Sequence, residues 1–542
     1  MEKRKIVFLI IIIVFVGIIS FGIYKLFLED IIHSPNSKIA LDNGMWRYDV
    51  KENVYYILGV DYTINHESSS EILNIYVPGE YLDCESKKNG TYNCKINSQE
   101  SIGNYNAMNA PIIMPVMGTG FVGQNPPATY AYSSIAKFIS EGFVYVYPGF
   151  RGRNNKEEVL SAAPWQVVDL KAAIRYLKFN RDVIPGDTEN IFMYGQSSGA
   201  ALASIVATSG NSKLYTPYLE TVGAIMQDSA KQELKDDIKG VMVWCPTLLA
   251  FSNEAYEWNM GQYSLTKTRF KNNWTNALSE DLAKAYGTFI NDIKLKDPNG
   301  DTLLLLKTEE GIYNSGTYYY YIKGIIENSL LNYLTNNYET EEAINKYMRR
   351  YPWASVSFDP LSVTIADVGS FIKELKIPNK GVPAFDTFNK NKAENNLFGT
   401  EKNNALHWDN TLANILKKNE ESYKVFKDYE SYVKDYVNDI SIKDRLGTDS
   451  ITRQNMYDPL YYLIDYYDGY KNSSVAPNWR IRSGIIQTET PLTTEVNLAL
   501  ALQNYGKINV DFATIWNKGH TQAEEKGDAT VNFINWVKSI SN

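Results

Sequence analysis

Residues 195–199 read Gly-Gln-Ser-Ser-Gly and match the pattern Gly-x-Ser-x-Gly, the part of this sequence with the clearest chemical meaning. The pattern also arises by chance in long chains, so its context matters. Residues 190–194 before it have the composition of a β-strand, and the small residues 200–206 after it favour a helix. Strand, tight turn and helix form a nucleophile elbow, in which flanking glycines accommodate a strained serine backbone. The sequence therefore predicts Ser197 as a nucleophile.

A serine nucleophile needs a general base, because its hydroxyl barely ionises at neutral pH. In folds with a nucleophile elbow the serine belongs to a catalytic triad, and the other two members, an acid and a histidine, follow it along the chain in that order. The chain contains only four histidines, and of these only His407 and His520 follow Ser197. His520 comes directly after the last predicted strand, where this architecture brings the base onto the nucleophile. We predict that His520 is the base and that His407 is a structural or pocket histidine.

The acid of the triad is expected after the penultimate strand, where residues 487–491 read Gln-Thr-Glu-Thr-Pro. Glu489 is the one carboxylate in that loop, and the interval to His520 accommodates one helix and one strand. A carboxylate there orients the imidazole and stabilises the imidazolium formed on attack. We therefore predict Glu489 as the acid, the alternative being a solvated loop glutamate or a helix N-terminal charge.

The tetrahedral intermediate of acyl transfer needs backbone amides aimed at its oxyanion. The residue after the nucleophile, Ser198, supplies one amide, and a loop after an early strand supplies the other. That loop, residues 117–121, reads Met-Gly-Thr-Gly-Phe where lipases and esterases carry His-Gly-Gly-Gly. Thr119 and Gly120 are the candidate donors.

Short apolar or β-branched runs alternate with helical patterns on both sides of these motifs, which predicts an α/β fold with a mostly parallel central sheet. The predicted strands are residues 54–60, 72–77, 111–117, 143–147, 190–194, 240–245, 480–486 and 510–516, and predicted helices include 164–179 and 493–504. The alternation stops in residues 246–478, which are rich in Tyr, Asn, Lys and Glu. We interpret 31–245 and 479–542 as two parts of one core and 246–478 as an inserted, mainly helical cap over the site.

The N-terminus begins with a basic cluster at residues 3–5, followed by an uncharged, strongly apolar run from Ile6 to Tyr24. Such a run has about the ~20 residues needed to cross a bilayer. No small-residue cleavage site follows it, so residues 1–30 are predicted to be an uncleaved signal anchor, the alternative being a removed signal peptide. The position of the basic cluster places residues 30–542 outside the cytoplasm.

The composition is that of an ordinary globular protein, with 44% hydrophobic and 21% charged residues and a net charge of −8. The acidic balance argues against nucleic-acid binding, and the three cysteines have no zinc-site spacing, so neither metal nor cofactor is predicted. Cys84 and Cys94 flank an Asn-Gly turn signal and could close a disulfide in an oxidising compartment. Cys245, within an apolar run, is predicted to be a buried thiol.

With these motifs the chain resembles α/β-hydrolase esterases of the bacterial tannase type (subtype B tannases) and their feruloyl-esterase-like relatives. The likeness extends over most of residues 50–540 and is carried by the nucleophile elbow and by several further motifs in order along the chain. These are Leu-Asn-Ile-Tyr-Val-Pro at 73–78, Tyr-Pro-Gly-Phe-Arg-Gly at 147–152, Ala-Pro at 163–164, Asp-Leu-Lys at 169–171, Cys-Pro at 245–246, Ala-Tyr-Glu-Trp at 255–258, Pro-Ala-Phe-Asp at 383–386, Glu-Asn at 394–395, Phe-Gly at 398–399 and Leu-Thr-Thr-Glu at 492–495.

In such tannases a Lys, a Glu and an Asp hold the hydroxyls of a galloyl group, and the resemblance implies Lys380 and Glu394 for the first two. The family's acid loop tends to read Asp-x-Asp, with one carboxylate for the triad and one for the ring. The corresponding residues here are Gln487 and Glu489, so a single carboxylate serves one of the two roles. This departure argues against strict gallate specificity.

Together these features predict a membrane-anchored serine esterase that hydrolyses a small-molecule carboxylic ester, bulky and aromatic in keeping with the aromatic-rich cap, through an acyl-enzyme. Two other interpretations stay open from the sequence. One is a non-catalytic surface binding module that retains the hydrolase fold, and the other is a serine peptidase on the same fold. The oligomeric state and the natural ester are not fixed by these residues.

Overall fold

The computed structural model describes residues 39–154, 162–308 and 311–541. The predicted signal anchor, residues 1–30, lies outside the described residues. Within those residues, no helix combines the length and the apolar character that a membrane span requires.

A central sheet of nine strands organises the described part of the chain. The strands are β1 (Arg47–Asp49), β2 (Val54–Asp61), β3 (Ile72–Pro78), β4 (Ile112–Val116), β5 (Val144–Pro148), β6 (Ile191–Gln196), β7 (Gly240–Trp244), β8 (Asn478–Gly484) and β9 (Asn509–Ile515). Their order across the sheet is β1-β2-β3-β5-β4-β6-β7-β8-β9. The pairs from β5 to β9 are parallel, and the pairs that join β1, β2, β3 and β5 are antiparallel. The predicted α/β-hydrolase fold with a mainly parallel sheet is confirmed.

The apolar runs that predicted the strands form the buried centre of this sheet. Every residue of β4 and of β7 is buried, as expected for strands that are covered by helices on both faces. All eight predicted strands occur, with ends that differ by one or two residues. β1 was not predicted, because three partly exposed residues at a sheet edge carry no periodic signal.

Helices cover both faces of the sheet and dominate the chain between β7 and β8. The α-helices are Ala136–Ile139, Trp165–Phe179, Ser198–Thr208, Thr216–Thr221, Ser252–Asn259, Trp274–Ile293, Thr317–Asn337, Glu341–Met348, Val368–Leu375, Ala393–Leu397, Asn410–Tyr423, Val433–Ile440, Ser450–Met456, Pro459–Leu463, Thr493–Tyr505 and Ala529–Ser541. The β7–β8 connection also contains two small hairpins, Leu306–Lys307 with Tyr313–Ser315 and Ala354–Phe358 with Leu361–Ile365. The boundaries proposed for the cap stay a prediction.

A disulfide joins Cys84 and Cys94, which lie opposite each other in the hairpin formed by strands Leu82–Ser86 and Tyr92–Ile96. The sequence left this pairing open, and the structure forms it. The prediction for Cys245 is confirmed, since it is a buried free thiol whose pKa burial raises to about 11.

A buried polar network lies between the helices that follow β7. His407 Nδ1 is 2.8 Å from Asp386, and the His407 ring stacks on Tyr436 with centroids 3.6 Å apart, which agrees with the predicted structural role. Close by, Glu254 is fully buried, and neither of its carboxylate oxygens has a hydrogen-bond partner among the described residues. Burial, together with the charges of Asp409 and Asp386, raises the pKa of Glu254 well above its usual value. Burial therefore favours the protonated, neutral form of Glu254.

Candidate active site

Ser197 occupies the sharp turn between β6 and helix Ser198–Thr208, as the elbow motif predicted. Its backbone has φ 59° and ψ −127°, a strained conformation for a residue with a side chain. The turn is held by the Ser197 amide, which donates to the carbonyl of Trp244 in β7 at 3.0 Å. The strain lifts the hydroxyl off the sheet edge, and the residue keeps 9% of its surface exposed.

The two glycines of the motif are required by close approach to β4. A Cβ atom at Gly195 would lie 2.6 Å from the carbonyl oxygen of Val116, and one at Gly199 would lie 2.2 Å from the same oxygen. Neither distance is compatible with a side chain. The glycines therefore let strand and helix pack against the end of β4, which fixes the position of Ser197.

His520 lies against Ser197, with 2.8 Å between its Nε2 and the serine Oγ. This geometry suits a serine hydroxyl that donates to a neutral imidazole acting as base. The loop that carries His520 follows β9 and lies over the end of β8, where a Cβ at Gly484 would come within 2.0 Å of the Gly519 carbonyl. The structure thus brings together two of the predicted residues from distant parts of the chain.

The other ring nitrogen of His520, Nδ1, is buried and has no hydrogen-bond partner among the described residues. Glu489 does not bond to it. Its carboxylate accepts a hydrogen bond from Asn379 Nδ2 at 3.2 Å and lies 3.4 Å from Lys380 Nζ. The hydrogen bond expected between acid and base is therefore not formed in this conformation, although the two groups are close enough to interact through their charges.

Burial and charge set the protonation of these groups. Burial lowers the pKa of His520 below 6.5, Glu489 opposes this shift, and Lys380 and Lys376 add to it. The pKa of Glu489 is lowered although burial acts in the opposite direction, because Lys380, Asn379 and His520 favour its charged form. At neutral pH the site therefore holds a neutral imidazole and an ionised carboxylate.

The three candidate oxyanion donors, the backbone amides of Ser198, Thr119 and Gly120, differ in whether they already have a hydrogen-bond partner. Ser198 is the first residue of its helix, where an amide has no partner within the helix. The amide of Thr119, in contrast, donates to the carbonyl of Met117 at 2.7 Å and is engaged in this conformation. Gly120 follows with φ 62°, and its carbonyl accepts a hydrogen bond from Arg153 Nε. Of the two loop candidates, Gly120 is the one whose amide is not the donor in the bond to Met117, and it is kept as the candidate donor.

The residues carried over from the tannase resemblance, Lys380 and Glu394, lie in one charged cluster with Glu489. Lys380 Nζ is 4.3 Å from the centre of the Phe385 ring. Glu394 is 7% exposed, and burial raises its pKa while Lys380, Lys392 and Arg153 oppose that shift. The cluster combines hydrogen-bond donors and acceptors beside an aromatic face, which suits a hydroxylated ring.

Several residues around the site could not be found from the sequence. Thr247 Oγ1 lies 3.5 Å from the Ser197 hydroxyl, and Arg153 contacts the oxyanion loop. Asn379 and Lys376 reach the acid loop from the segment after helix Val368–Leu375. None of them belongs to a motif, because each acts through a contact between segments that are far apart in the chain. Among the described residues there is no group of His, Cys, Asp and Glu that could hold a metal ion.

Comparison with known proteins supports the resemblance predicted from the sequence. A protein family described as BD-FAE matches residues 102–264, and no curated protein matches the chain. A tannin acyl hydrolase from Lactobacillus plantarum superposes with a TM-score of 0.71 and 24% identity over 94% of this chain and 100% of that chain. A tannase from Fusobacterium nucleatum superposes with a TM-score of 0.67 and 28% identity, over 90% of this chain and 95% of that chain. A tannin acyl hydrolase in complex with ethyl gallate superposes with a TM-score of 0.70 and 25% identity, over 94% of this chain and 100% of that chain.

The three structural likenesses cover 90% or more of this chain, whereas the family match is confined to residues 102–264. The predicted resemblance to bacterial tannases is confirmed, and it indicates an ester hydrolase.

Proposed function

We propose that the protein is a membrane-anchored serine esterase that acts outside the cytoplasm on carboxylic esters with an aromatic acyl group. The observation that carries the proposal is the 2.8 Å contact between Ser197 Oγ and His520 Nε2 at a strained elbow. The contact supplies the nucleophile and base pair that acyl transfer requires.

In the proposed reaction, Ser197 Oγ attacks the ester carbonyl while His520 Nε2 accepts its proton. The amides of Ser198 and Gly120 stabilise the oxyanion, and the imidazolium then protonates the leaving alcohol. Water, deprotonated by His520, hydrolyses the acyl-enzyme and releases the acid. Glu489 stabilises the imidazolium, which requires its carboxylate to leave Asn379 and Lys380 and turn towards Nδ1.

The aromatic preference rests on the charged cluster beside Phe385. Phenolic hydroxyls donate to carboxylates, so Glu394 is a fitting acceptor, and Lys380 is a fitting donor to a phenolic oxygen. One of the structural neighbours holds ethyl gallate. Glu489 lies beside Lys380 and Asn379 in this conformation, and in the proposed reaction it serves His520 rather than the ring.

The location outside the cytoplasm is supported by the Cys84–Cys94 disulfide, since such bonds persist in oxidising compartments. The apolar run from Ile6 to Tyr24 supports a membrane anchor. Digestion of intact spheroplasts with an external protease tests this part of the proposal. We expect cleavage of the enzymatic domain from outside, and complete protection would contradict the topology.

The activity is tested with a panel of p-nitrophenyl, feruloyl and galloyl esters, using full-length protein in detergent and Ser197→Ala as the matched control. We expect turnover of aromatic acyl esters by the wild type and loss of at least about 1,000-fold in the variant. Equal rates for both proteins would contradict the serine mechanism. Folded wild-type protein that hydrolyses no ester would favour the binding module instead.

A further inference from the structure

A second hydroxyl lies beside the nucleophile. Thr247 Oγ1 is 3.5 Å from Ser197 Oγ, on a residue that is only 7% exposed. Among the described residues, the Thr247 hydroxyl has no other hydrogen-bond partner. A buried hydroxyl normally donates to a carbonyl, a carboxylate or an ordered water. Here its one partner in the described part of the chain is the oxygen that we propose to be the nucleophile.

Backbone hydrogen bonds hold Thr247 in this position. The Ser197 amide donates to the carbonyl of Trp244 at the end of β7, and the Thr247 amide donates to the carbonyl of Ser197 at 3.3 Å. Between these two bonds, the amide of Cys245 donates to the carbonyl of Arg482 in β8 at 2.9 Å. The segment that follows β7 is therefore joined to the elbow on one side and to the sheet on the other, and it carries the threonine hydroxyl to the nucleophile.

The direction of both hydrogen bonds is defined when His520 is the base. The Ser197 hydroxyl has a single proton and donates it to Nε2, 2.8 Å away. Its oxygen can then only accept from Thr247, so Thr247 is the donor in the second contact. At 3.5 Å this contact is longer than the about 2.8 Å of a well-formed O–H···O bond, so it is weak in the resting enzyme. It becomes stronger when the serine oxygen gains negative charge.

We propose that Thr247 is a further catalytic residue, which stabilises the oxygen of Ser197 as that oxygen leaves the acyl group during hydrolysis of the acyl-enzyme. This role rests on the proposed function, because it takes Ser197 as the nucleophile. In that step water attacks the acyl carbon and gives a proton to His520 Nε2. The bond from the acyl carbon to Oγ then breaks, its electron pair returns to Oγ, and the imidazolium gives its proton to Oγ. Thr247 keeps its own proton and only donates a hydrogen bond.

The contribution of Thr247 should be larger in deacylation than in acylation. In the acyl-enzyme Oγ is an ester oxygen that shares an electron pair with the carbonyl, so it accepts poorly until its bond breaks. The hydrogen bond from Thr247 therefore forms mainly in the transition state, which is the condition for it to raise the rate. In acylation the serine hydroxyl already accepts before the attack, and its electron pair then enters the new bond. The same donor gains little in that step.

The test measures acylation and deacylation separately in full-length protein, with p-nitrophenyl acetate in a stopped-flow burst experiment and mass spectrometry of the acid-quenched protein. Thr247→Val removes the hydroxyl and keeps the shape of the side chain. We expect deacylation to slow by at least about tenfold and acylation to change by less than about threefold, so that the acylated fraction of Ser197 at steady state rises. Thr247→Ser keeps a hydroxyl and should restore deacylation to within about threefold of the wild-type rate. Circular dichroism confirms that each variant is folded, and Thr247→Ala takes the place of Thr247→Val if the latter is not.

The matched control is Thr208→Val, which removes a buried hydroxyl from the far end of the helix that begins at the elbow. The Thr208 hydroxyl donates to the carbonyls of Ser204 and Ile205, so the ratio of acylation to deacylation should keep its wild-type value. Unchanged deacylation in Thr247→Val, an equal loss in both steps, or failure of Thr247→Ser to restore deacylation would overturn the role of Thr247 alone. A wild type with neither burst nor turnover would instead overturn the esterase proposal, and this role with it.

Discussion

Replacing Glu489 by glutamine separates a triad acid from a carboxylate that merely lies near the base. The structure joins Glu489 to Asn379 at 3.2 Å and to Lys380 at 3.4 Å but not to His520. A glutamine can still accept the hydrogen bond from Asn379. The ion pair with Lys380 is lost, and because the Glu489 side chain is 45% exposed, solvent screening limits its contribution to under about 1 kcal/mol. The fold should therefore lose less than about 1 kcal/mol.

The effect on turnover differs between the two roles. A half-exposed carboxylate that acts on His520 only through its charge contributes about 1 kcal/mol, which is less than a tenfold change in rate. A carboxylate that reaches Nδ1 in the transition state contributes far more, and its replacement by an amide costs about 10⁴-fold in the serine protease example. We expect Glu489→Gln to lower kcat for p-nitrophenyl acetate by at least about 100-fold, equivalent to about 2.7 kcal/mol.

The matched control is Lys380→Met, which removes the same ion pair and leaves the carboxylate in place. This variant should hydrolyse p-nitrophenyl acetate at close to the wild-type rate, since Glu489 becomes free to approach His520. Steady-state kinetics and urea unfolding are measured on both variants. Turnover of Glu489→Gln within tenfold of wild type would refute the assignment of Glu489 as the acid. An equal loss in both variants would show that the ion pair matters and the acid does not.

Three further predictions follow from the burial and the contacts of single residues. Because burial lowers the pKa of His520, the acid limb of kcat/KM should lie below pH 6.5, and a limb above that value would contradict a neutral resting imidazole. Lys380→Ala should raise KM for galloyl esters much more than for p-nitrophenyl acetate. An equal rise for both esters would show that this cluster does not bind the aromatic ring of the substrate. Glu254 has a raised pKa in the folded state, so the unfolded chain releases its proton first as pH rises above about 4.5. Wild-type stability should then fall by about 1.4 kcal/mol per pH unit until the folded pKa is reached. Glu254→Gln lacks this loss, so its free energy of unfolding relative to that of the wild type should rise as the pH increases above about 4.5, and parallel urea-denaturation profiles would contradict a raised pKa for this buried acid.

The strands and the elbow could be predicted because their signals are local. A buried parallel strand appears in the sequence as a continuous apolar run. The second glycine of the motif is required because a Cβ at Gly199 would clash with Val116. His520 could be chosen because histidines are scarce and the order of the triad residues along the chain is fixed by the fold. The turn signal between Cys84 and Cys94 made a disulfide possible, but the spacing of two cysteines does not fix the geometry that the bond requires, so the sequence left the pairing open.

The surroundings of the acid loop could not be predicted, because they depend on contacts over long separations. Lys376 and Gln487 are 111 residues apart, and Asn379 and Glu489 are 110 residues apart. No periodicity or motif relates such pairs, and only the packing of the helical segment against the core brings them together. For the same reason the sequence could identify Glu489 as the available carboxylate, but it could not show that Glu489 lies beside Lys380 in this conformation.

The most direct measurement is the reaction of full-length protein with a fluorophosphonate probe, followed by mass spectrometry of the modified peptide. A hydroxyl 2.8 Å from an imidazole in a strained turn should be activated, so we expect a single adduct, on Ser197, and almost none in His520→Ala. No adduct on a folded protein, or an adduct on another serine in a preparation that hydrolyses esters, would show that these two side chains are not the catalytic pair.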